Sequence, residues 1–167
     1  MLKNYTSLNH AVLKRLYHKG IAPFKQPHLQ SEKVCIRDNY GEITYREIDQ
    51  QSDKISKALL KSQAYKNPSK LNSNVAFLTS NNHHYTVSQF GIWKGGLACV
   101  PLCKSHPPET LKYYIEDSQA SAVLISQEFA DKIGSKLRNE VENLLVLEDL
   151  LEEEEEESND KSVQYDL

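Results

Sequence analysis

Between Val75 and Leu147 the chain repeats one unit: a short apolar run, then a longer segment with apolar residues at helical spacing. The runs are "VAFLT" (Val75–Thr79), "LACVPL" (Leu97–Leu102), "SAVLIS" (Ser121–Ser126) and "NLLVL" (Asn143–Leu147). Each is short and lacks polar alternation, so each fits a strand buried on both faces. The segments between them read as helices. His84–Lys94 is the first. The second opens on "SHPPE" and carries Leu111, Tyr114, Ile115 and Ser118 at helical spacing, and Glu128–Arg138 is the third. Pro107 and Pro108 suit a first helical turn, whose N–H groups have no intrahelical acceptor. This alternation specifies an α/β fold with an open, mostly parallel sheet and crossover helices.

A different pattern precedes it. In "VCIRDNYGEITY", Val34–Tyr45, Val34 and Ile36 alternate with polar residues, Asp38-Asn39-Tyr40-Gly41 supplies a turn, and Ile43 resumes. That is a β-hairpin signal. Thr44 and Glu47 then have capping-box spacing, so each side chain can satisfy a free backbone N–H at a helix start. Ile48, Ile55 and Leu59 mark one face of a helix reaching about Lys61. Residues 65–74, polar and containing Pro68, read as a loop.

"GIWKGGLACVPL", Gly91–Leu102, raises the question of a phosphate cradle. Gly91 and Gly96 have Walker A spacing, but Leu97 and Ala98 follow where a lysine and a hydroxyl are required. The glycines also end a helix, whereas phosphates bind where one begins. Gly95-Gly96 is therefore read as a helix stop, supplying a left-handed conformation that other residues resist.

With 167 residues, 39% hydrophobic and 26% charged, the chain has the composition of one soluble domain. A net charge of −3 gives no reason to expect a nucleic-acid partner, and no apolar run approaches a membrane span. Cys35, Cys99 and Cys103 are an odd count without dense spacing, which fits a reducing compartment better than a disulfide scaffold. Cys99 and Cys103, with His83, His84 and His106 nearby in sequence, could be imagined around zinc. No Cys-x-x-Cys exists, however, and the cysteines are read as buried and structural, with no metal site. Cys103 beside His106 is the single candidate for an activated nucleophile, and His83-His84 are placed in a first helical turn. We assign no catalytic, cofactor-binding or metal-binding residue from these patterns.

The ends differ from the middle. Met1–Ser31 holds five basic residues (Lys3, Lys14, Arg15, Lys19, Lys25) and no acidic one. Leu8, Val12, Leu13, Leu16 and Tyr17 share a helix face there, which fits either a mitochondrial presequence over residues 1–20 or a plain N-terminal helix on a cytoplasmic protein. Asn4-Tyr5-Thr6 matches a glycosylation acceptor but carries little meaning without a signal peptide. Glu140–Leu167 holds twelve acidic residues against one lysine, including Glu152–Glu157 in unbroken succession. Residues 151–167 read as an acidic linker or tail that self-repels and builds no core.

Three stretches together, "EITYREIDQQSDKISKALL", "NVAFLTSNNHHYTVSQFGIWKGGLACVPL" and "HPPETLKYYIEDSQASAVLISQE", resemble the N-terminal region of the adenylate-forming superfamily, which includes acyl-CoA synthetases. "VPLCKSHPPETLKYYIEDSQASAVLISQEF" is similar to the malonyl-CoA synthetase branch, whose mitochondrial members activate malonate. The resemblance implies a partial AMP-binding domain over residues 21–150, an incomplete N-terminal subdomain of that fold. It further implies ATP, magnesium and coenzyme A as cofactors of the full-length enzyme, with malonate or a related short carboxylic acid as substrate. The family's phosphate loop and C-terminal catalytic lysine have no counterpart here and are expected beyond Leu167, so the chain alone is expected to be inactive.

Two other readings stay open: a non-catalytic interaction module derived from the family, and an independent flavodoxin-like ligand-binding domain. Four strands covered by three crossover helices and the Thr44–Lys61 helix also imply an open edge strand and uncovered apolar surface. The presequence reading has a direct test. Residues 1–20 fused to a fluorescent reporter should direct it to mitochondria, and replacing Lys14, Arg15 and Lys19 with glutamate should abolish import. A diffuse signal from the unmutated fusion would favour the plain helix.

Overall fold

The computed structural model describes residues 31–62, 74–138, 141 and 143–152. The basic segment 1–20, the loop residues 65–73 and the glutamates from Glu153 onward lie outside the described residues.

Strands β1 (Val34–Asp38) and β2 (Gly41–Thr44) pair antiparallel, with Asp38 opposite Gly41. Gly41 closes the turn at φ +132°, a conformation that side chains resist. Helix α1 (Tyr45–Lys61) follows at once. Its capping box forms as the spacing predicts: the Glu47 N–H donates to Thr44 Oγ1 at 3.1 Å, and the Thr44 N–H donates to Glu47 Oε2 at 2.7 Å. Ile48, Ser52, Ile55, Ser56 and Leu59 make its buried face.

The sheet then builds through β3 (Asn74–Leu78), helix α2 (His83–Lys94), β4 (Ala98–Pro101), helix α3 (Pro108–Asp117), β5 (Ala122–Ile125), helix α4 (Gln127–Arg138) and β6 (Leu144–Val146). Helix α5 (Leu147–Glu152) closes the described chain. The strand order is β4-β3-β5-β6 and every pairing in this sheet is parallel. The α/β sheet, the crossover helices and the leading hairpin are as the sequence predicts.

Two cores sit on opposite faces. On one, Phe77, Leu124 and Val75 meet Ile48, Ile55 and Leu59 of α1, Val87 and Ile92 of α2, and Leu147 of α5. On the other, Leu78, Ile125 and Val123 meet Leu111 and Ile115 of α3 and Phe129 and Leu137 of α4. Strands β3 and β5 are thus buried on both faces, which explains their unbroken apolar runs. This packing covers both sheet faces; among the described residues the expected openness lies at the edge strands and at exposed apolar side chains such as Leu60, Tyr113 and Tyr114 on the helices. Those edges are blunted, because β4 carries Pro101, which lacks an N–H, and β6 has only three residues.

Three local features refine or correct the sequence reading. Gly96, at φ +72°, takes the left-handed position after α2, while Gly95 stays right-handed. Gln119 takes the same position after α3, at φ 52°, without being glycine. Leu147 ends no strand. It begins α5, which runs through Leu151 and Glu152, where the sequence suggests a tail. Leu147, Leu150 and Leu151 pack on the first core, and Lys54 Nζ donates to the Leu151 carbonyl at 2.7 Å.

Gly91 has a use that phosphate-loop spacing could not reveal. A Cβ placed there would lie 2.6 Å from Ile55 Cβ and 3.0 Å from the Ser52 carbonyl. Helices α1 and α2 therefore cross with no room for a methyl group. Gly91→Ala should destabilise the chain by about 1–2 kcal/mol in urea unfolding, since overpacking outweighs the gain in helix propensity. Gly95→Ala, whose Cβ would meet the end of the Leu97 side chain at 3.3 Å and the Ile92 and Gly91 carbonyls at the ordinary contact distances of 3.4 and 3.6 Å, should stay within about 0.5 kcal/mol. Equal effects at the two positions would contradict the close crossing.

Candidate functional site

Open α/β sheets bind ligands beyond the carboxyl ends of their strands, where the strand order reverses. Here that point lies between β3 and β5, because the chain leaves β3 toward β4 and leaves β5 toward β6. Leu78 and Ile125 are register partners, and Thr79 and Ser126 are the residues just past them. Both are buried, at 5% and 4% exposure, and neither hydroxyl has a hydrogen-bond partner. They are potential donors and acceptors at the switch point.

Around them runs a band of internal polar contacts. Ser80 Oγ donates to Glu128 Oε2 at 2.5 Å, and Lys132 Nζ donates to Glu128 Oε1 at 2.6 Å. Those bonds, Lys132 first and then Ser80, hold the Glu128 carboxyl below its ordinary range. At the start of α4, the Gln127 N–H donates to Glu148 Oε2 at 2.6 Å. Glu148 Oε1 lies 3.5 Å from His84 Nδ1.

At the start of α2, Asp38 arrives from the hairpin. Its Oδ2 accepts the His83 N–H at 2.8 Å and lies 2.8 Å from His83 Nδ1, while Oδ1 accepts the Tyr40 N–H at 2.8 Å. The bond from the His83 amide, followed by that from its ring, pulls the Asp38 carboxyl down to about 2. Asn82 caps the same helix, its side chain accepting the His84 N–H at 3.1 Å. The His83 and His84 rings stand edge to face at 4.4 Å. Burial, and then the neighbouring His83, hold the His84 imidazole below its ordinary value against the pull of Glu148 and Asp38. Beside this cluster an open groove of about 360 Å3 is lined by Ile36, Arg37, Asp38, Asn82, Tyr85 and Thr86, among others.

The residues singled out in the sequence fall elsewhere or do other work. His83 and His84 do occupy the first turn of a helix, as expected. Cys103 is exposed, and Cys35 and Cys99 are only half-buried, so the reading of all three as buried is corrected. Cys103 lies in the turn after β4, outside the sheet's cover. Its thiol is drawn down by Ser105, whose Oγ is 3.0 Å away, rather than by His106, whose ring rests against Tyr114. Among the described residues no group of three or more His, Cys, Asp and Glu could hold a metal ion. Asp38, Glu128 and Glu148 were missed as site residues. Asp38 reads locally as a turn residue and Glu148 as part of an acidic end, and only the fold brings them to helix starts.

A family model for AMP-binding enzymes matches residues 24–166. The chain belongs to the AMP-binding enzyme family. The mitochondrial malonate–CoA ligase of Xenopus laevis is 38% identical over 113 residues, 66% of this chain and 19% of its own length. The anthranilate CoA ligase AuaEII, solved with anthranoyl-AMP, superposes at a TM-score of 0.59 and 20% identity, covering 78% of this chain and 28% of that one. ATP-bound MatB from Rhodopseudomonas palustris superposes at 0.58 and 18% identity, covering 81% and 27%. Those two likenesses establish the fold. The chain spans about a fifth of the length of the malonate–CoA ligases it matches.

Two helix starts on this edge do not fit a nucleotide phosphate. The starts of α2 and α4, where N–H groups could receive one, already hold the carboxylates of Asp38 and Glu148. No step of adenylation is assigned to them.

The Asp38 contacts set an acid limb. Its carboxyl sits at about 2 in the folded chain, against roughly 3.9 for an unfolded aspartate. The unfolded chain takes the proton first, so this stabilisation is fully present above about pH 4 and is lost as pH falls through about 2. Asp38→Asn should flatten the loss of stability between pH 5 and 2.5 in urea unfolding. An acid limb unchanged by the substitution would remove Asp38 from this part.

Proposed function

We propose that the whole protein is an ATP-dependent acyl-CoA ligase that acts in mitochondria on malonate or a related short carboxylic acid. The acid is joined to ATP as an acyl-adenylate with release of pyrophosphate, and the acyl group then passes to the thiol of coenzyme A. Magnesium assists at the phosphates. The observation that carries this reading is the 38% identity with a mitochondrial malonate–CoA ligase over 113 residues.

Within that enzyme this chain supplies scaffold. Several charged groups at the carboxyl edge of the sheet are committed to internal partners: Asp38 to His83, Glu148 to Gln127, and Glu128 to Ser80 and Lys132. Adenylyl transfer needs positioned donors and a cation around the phosphates, and such groups belong to other parts of the enzyme. An independent flavodoxin-like domain would offer an open helix start at the switch point, and here the α4 start holds an internal carboxylate. Among the described residues no helix is long and apolar enough to cross a membrane.

A graft tests the proposal. Residues 31–152 of this chain would replace the matching segment of a malonate–CoA ligase relative. Malonate-dependent pyrophosphate release by the graft, with none from this chain alone, is the expected result. A graft that folds but releases no pyrophosphate would overturn the assignment, and malonate-dependent release by this chain alone would overturn its part as scaffold.

A further inference from the structure

We propose that the carboxyl half of α1 is a docking surface for the glutamate run that follows α5, residues 153–157 of this same chain. Lys54, Lys57 and Lys61 stand at i, i+3 and i+7 of α1, so they share one face of the helix. Lys57 and Lys61 are exposed and Lys54 is half-buried. No acid interrupts the stretch, which reads KISKALLKS from Lys54 to Ser62. Elsewhere on the described surface several basic groups pair one to one with acids: Arg37 with Glu42, Arg46 with Glu32, Lys112 with Glu116 and Lys132 with Glu128. The α1 stripe instead gathers like charges, which suits a partner that is itself a run of charge.

The fold brings the glutamates to this face. Helix α5 ends at Glu152, and the carbonyl of its Leu151 accepts from Lys54 Nζ at 2.7 Å. The acidic run therefore starts beside the first lysine of the stripe. Lys54 and Lys61 are about 10 Å apart along the helix axis. Five residues of extended chain reach about 16 Å, enough for residues 153–157 to meet Lys57 and Lys61 in turn. The opposite course is unfavourable, because toward its amino end α1 presents the carboxylates of Asp49 and Asp53, both already bound to Lys94. The carboxyl end of a helix does carry a partial negative charge, but only about half a unit against three ammonium groups. The N–H and hydroxyl of Ser62 also take up the Ala58 and Leu59 carbonyls of that last turn.

The occupant follows from the tether. A run that begins at Glu152 meets the stripe at an effective concentration of about millimolar, which a separate acidic partner must match. Exposed ion pairs are individually weak, so the dock depends on their number and is screened by salt. Its effect is a second hold on α5, beside the apolar contacts of Leu147, Leu150 and Leu151 with the first core.

Carbodiimide crosslinking of the 167-residue chain, read by mass spectrometry, tests the placement. In about 0.02 M salt, residues 153–157 should join Lys57 and Lys61 about fivefold more often than Lys104 and Lys136, which are also exposed. In about 1 M salt that preference should vanish. Equal crosslinking of all four lysines at low salt would overturn the proposal. Mixing isotope-labelled with unlabelled copies decides the occupant, since crosslinks between copies in place of those within one chain would overturn it in favour of a second copy. Hydrogen exchange reads the hold on α5. Lys57→Gln with Lys61→Gln, and separately Glu→Gln at each of residues 153–157, should each lower protection of the α5 amides by roughly threefold to tenfold. The two sets combined should lose no more than either alone. Losses that multiply, or no loss from either set, would overturn the dock.

Discussion

The absence of a side chain at Gly91 lets α2 lie against Ile55 and the Ser52 carbonyl of α1 with no room for a methyl group, and Ile55 belongs to the first core. Ser52, Ser56 and Ser88 are also small and buried. Because α1 comes this close, Ile48, Ile55 and Leu59 can reach the sheet face between α2 and α5. The crossing is also locked by charge. Lys94, at the last turn of α2, places Nζ 2.6 Å from Asp49 Oδ1 and 2.7 Å from Asp53 Oδ1, with the Asp49 carbonyl at 2.8 Å. Its side chain is only 10% exposed, so removing Asp49 would leave a nearly buried cation short of partners. Such a loss costs several kcal/mol where burial is complete and less here, since Asp53 is half in water.

That crossing positions the hairpin in turn. The capping box at Thr44 joins β2 to α1 without an intervening loop, so wherever α1 lies the hairpin must follow. At its far end, Asp38 is delivered to the first turn of α2, the helix that α1 crosses. The hairpin is therefore tied to the two crossing helices at two points, by a covalent junction at one and a carboxylate at the other. A carboxylate suits the second point because free N–H groups at a helix start favour negative charge. Glu148 repeats the solution at α4. Two helix starts on one edge of the sheet are closed by acids brought from distant parts of the sequence.

Features written in neighbouring residues were legible. The apolar runs located the strands of the sheet, the Asp38–Gly41 turn located the hairpin, and Thr44 with Glu47 located the start of α1. What escaped depends on distance in sequence. Gly91 looks like a helix irregularity until Ile55 is placed against it. Glu148 sits in an acidic stretch, and only the parallel pairing of β5 with β6 brings it to Gln127. Helix α5 was hidden for a related reason: "LLVLEDLLE" runs an apolar strand into an apolar helix with no glycine or proline between them, so periodicity over so short a span does not separate the two. Cys99 and Cys103 were misread because apolar neighbours suggest burial, whereas β4 is an edge strand and the chain turns to the surface just after it.

The same committed contacts explain how a chain of the AMP-binding enzyme family can carry so few marks of nucleotide chemistry. A parallel sheet delivers every strand's carboxyl end to one side, and each following helix turns its unpaired N–H groups to that side. An edge of this kind attracts anions unless the chain supplies its own. Here Asp38 and Glu148 do so, and Glu128 with Lys132 neutralises the surface next to the switch point. Among the groups left unpaired are the hydroxyls of Thr79 and Ser126 and, between β4 and α3, His106 Nδ1. The edge is thereby free to act as a fixed wall. Its form rests on internal ion and hydrogen-bond pairs.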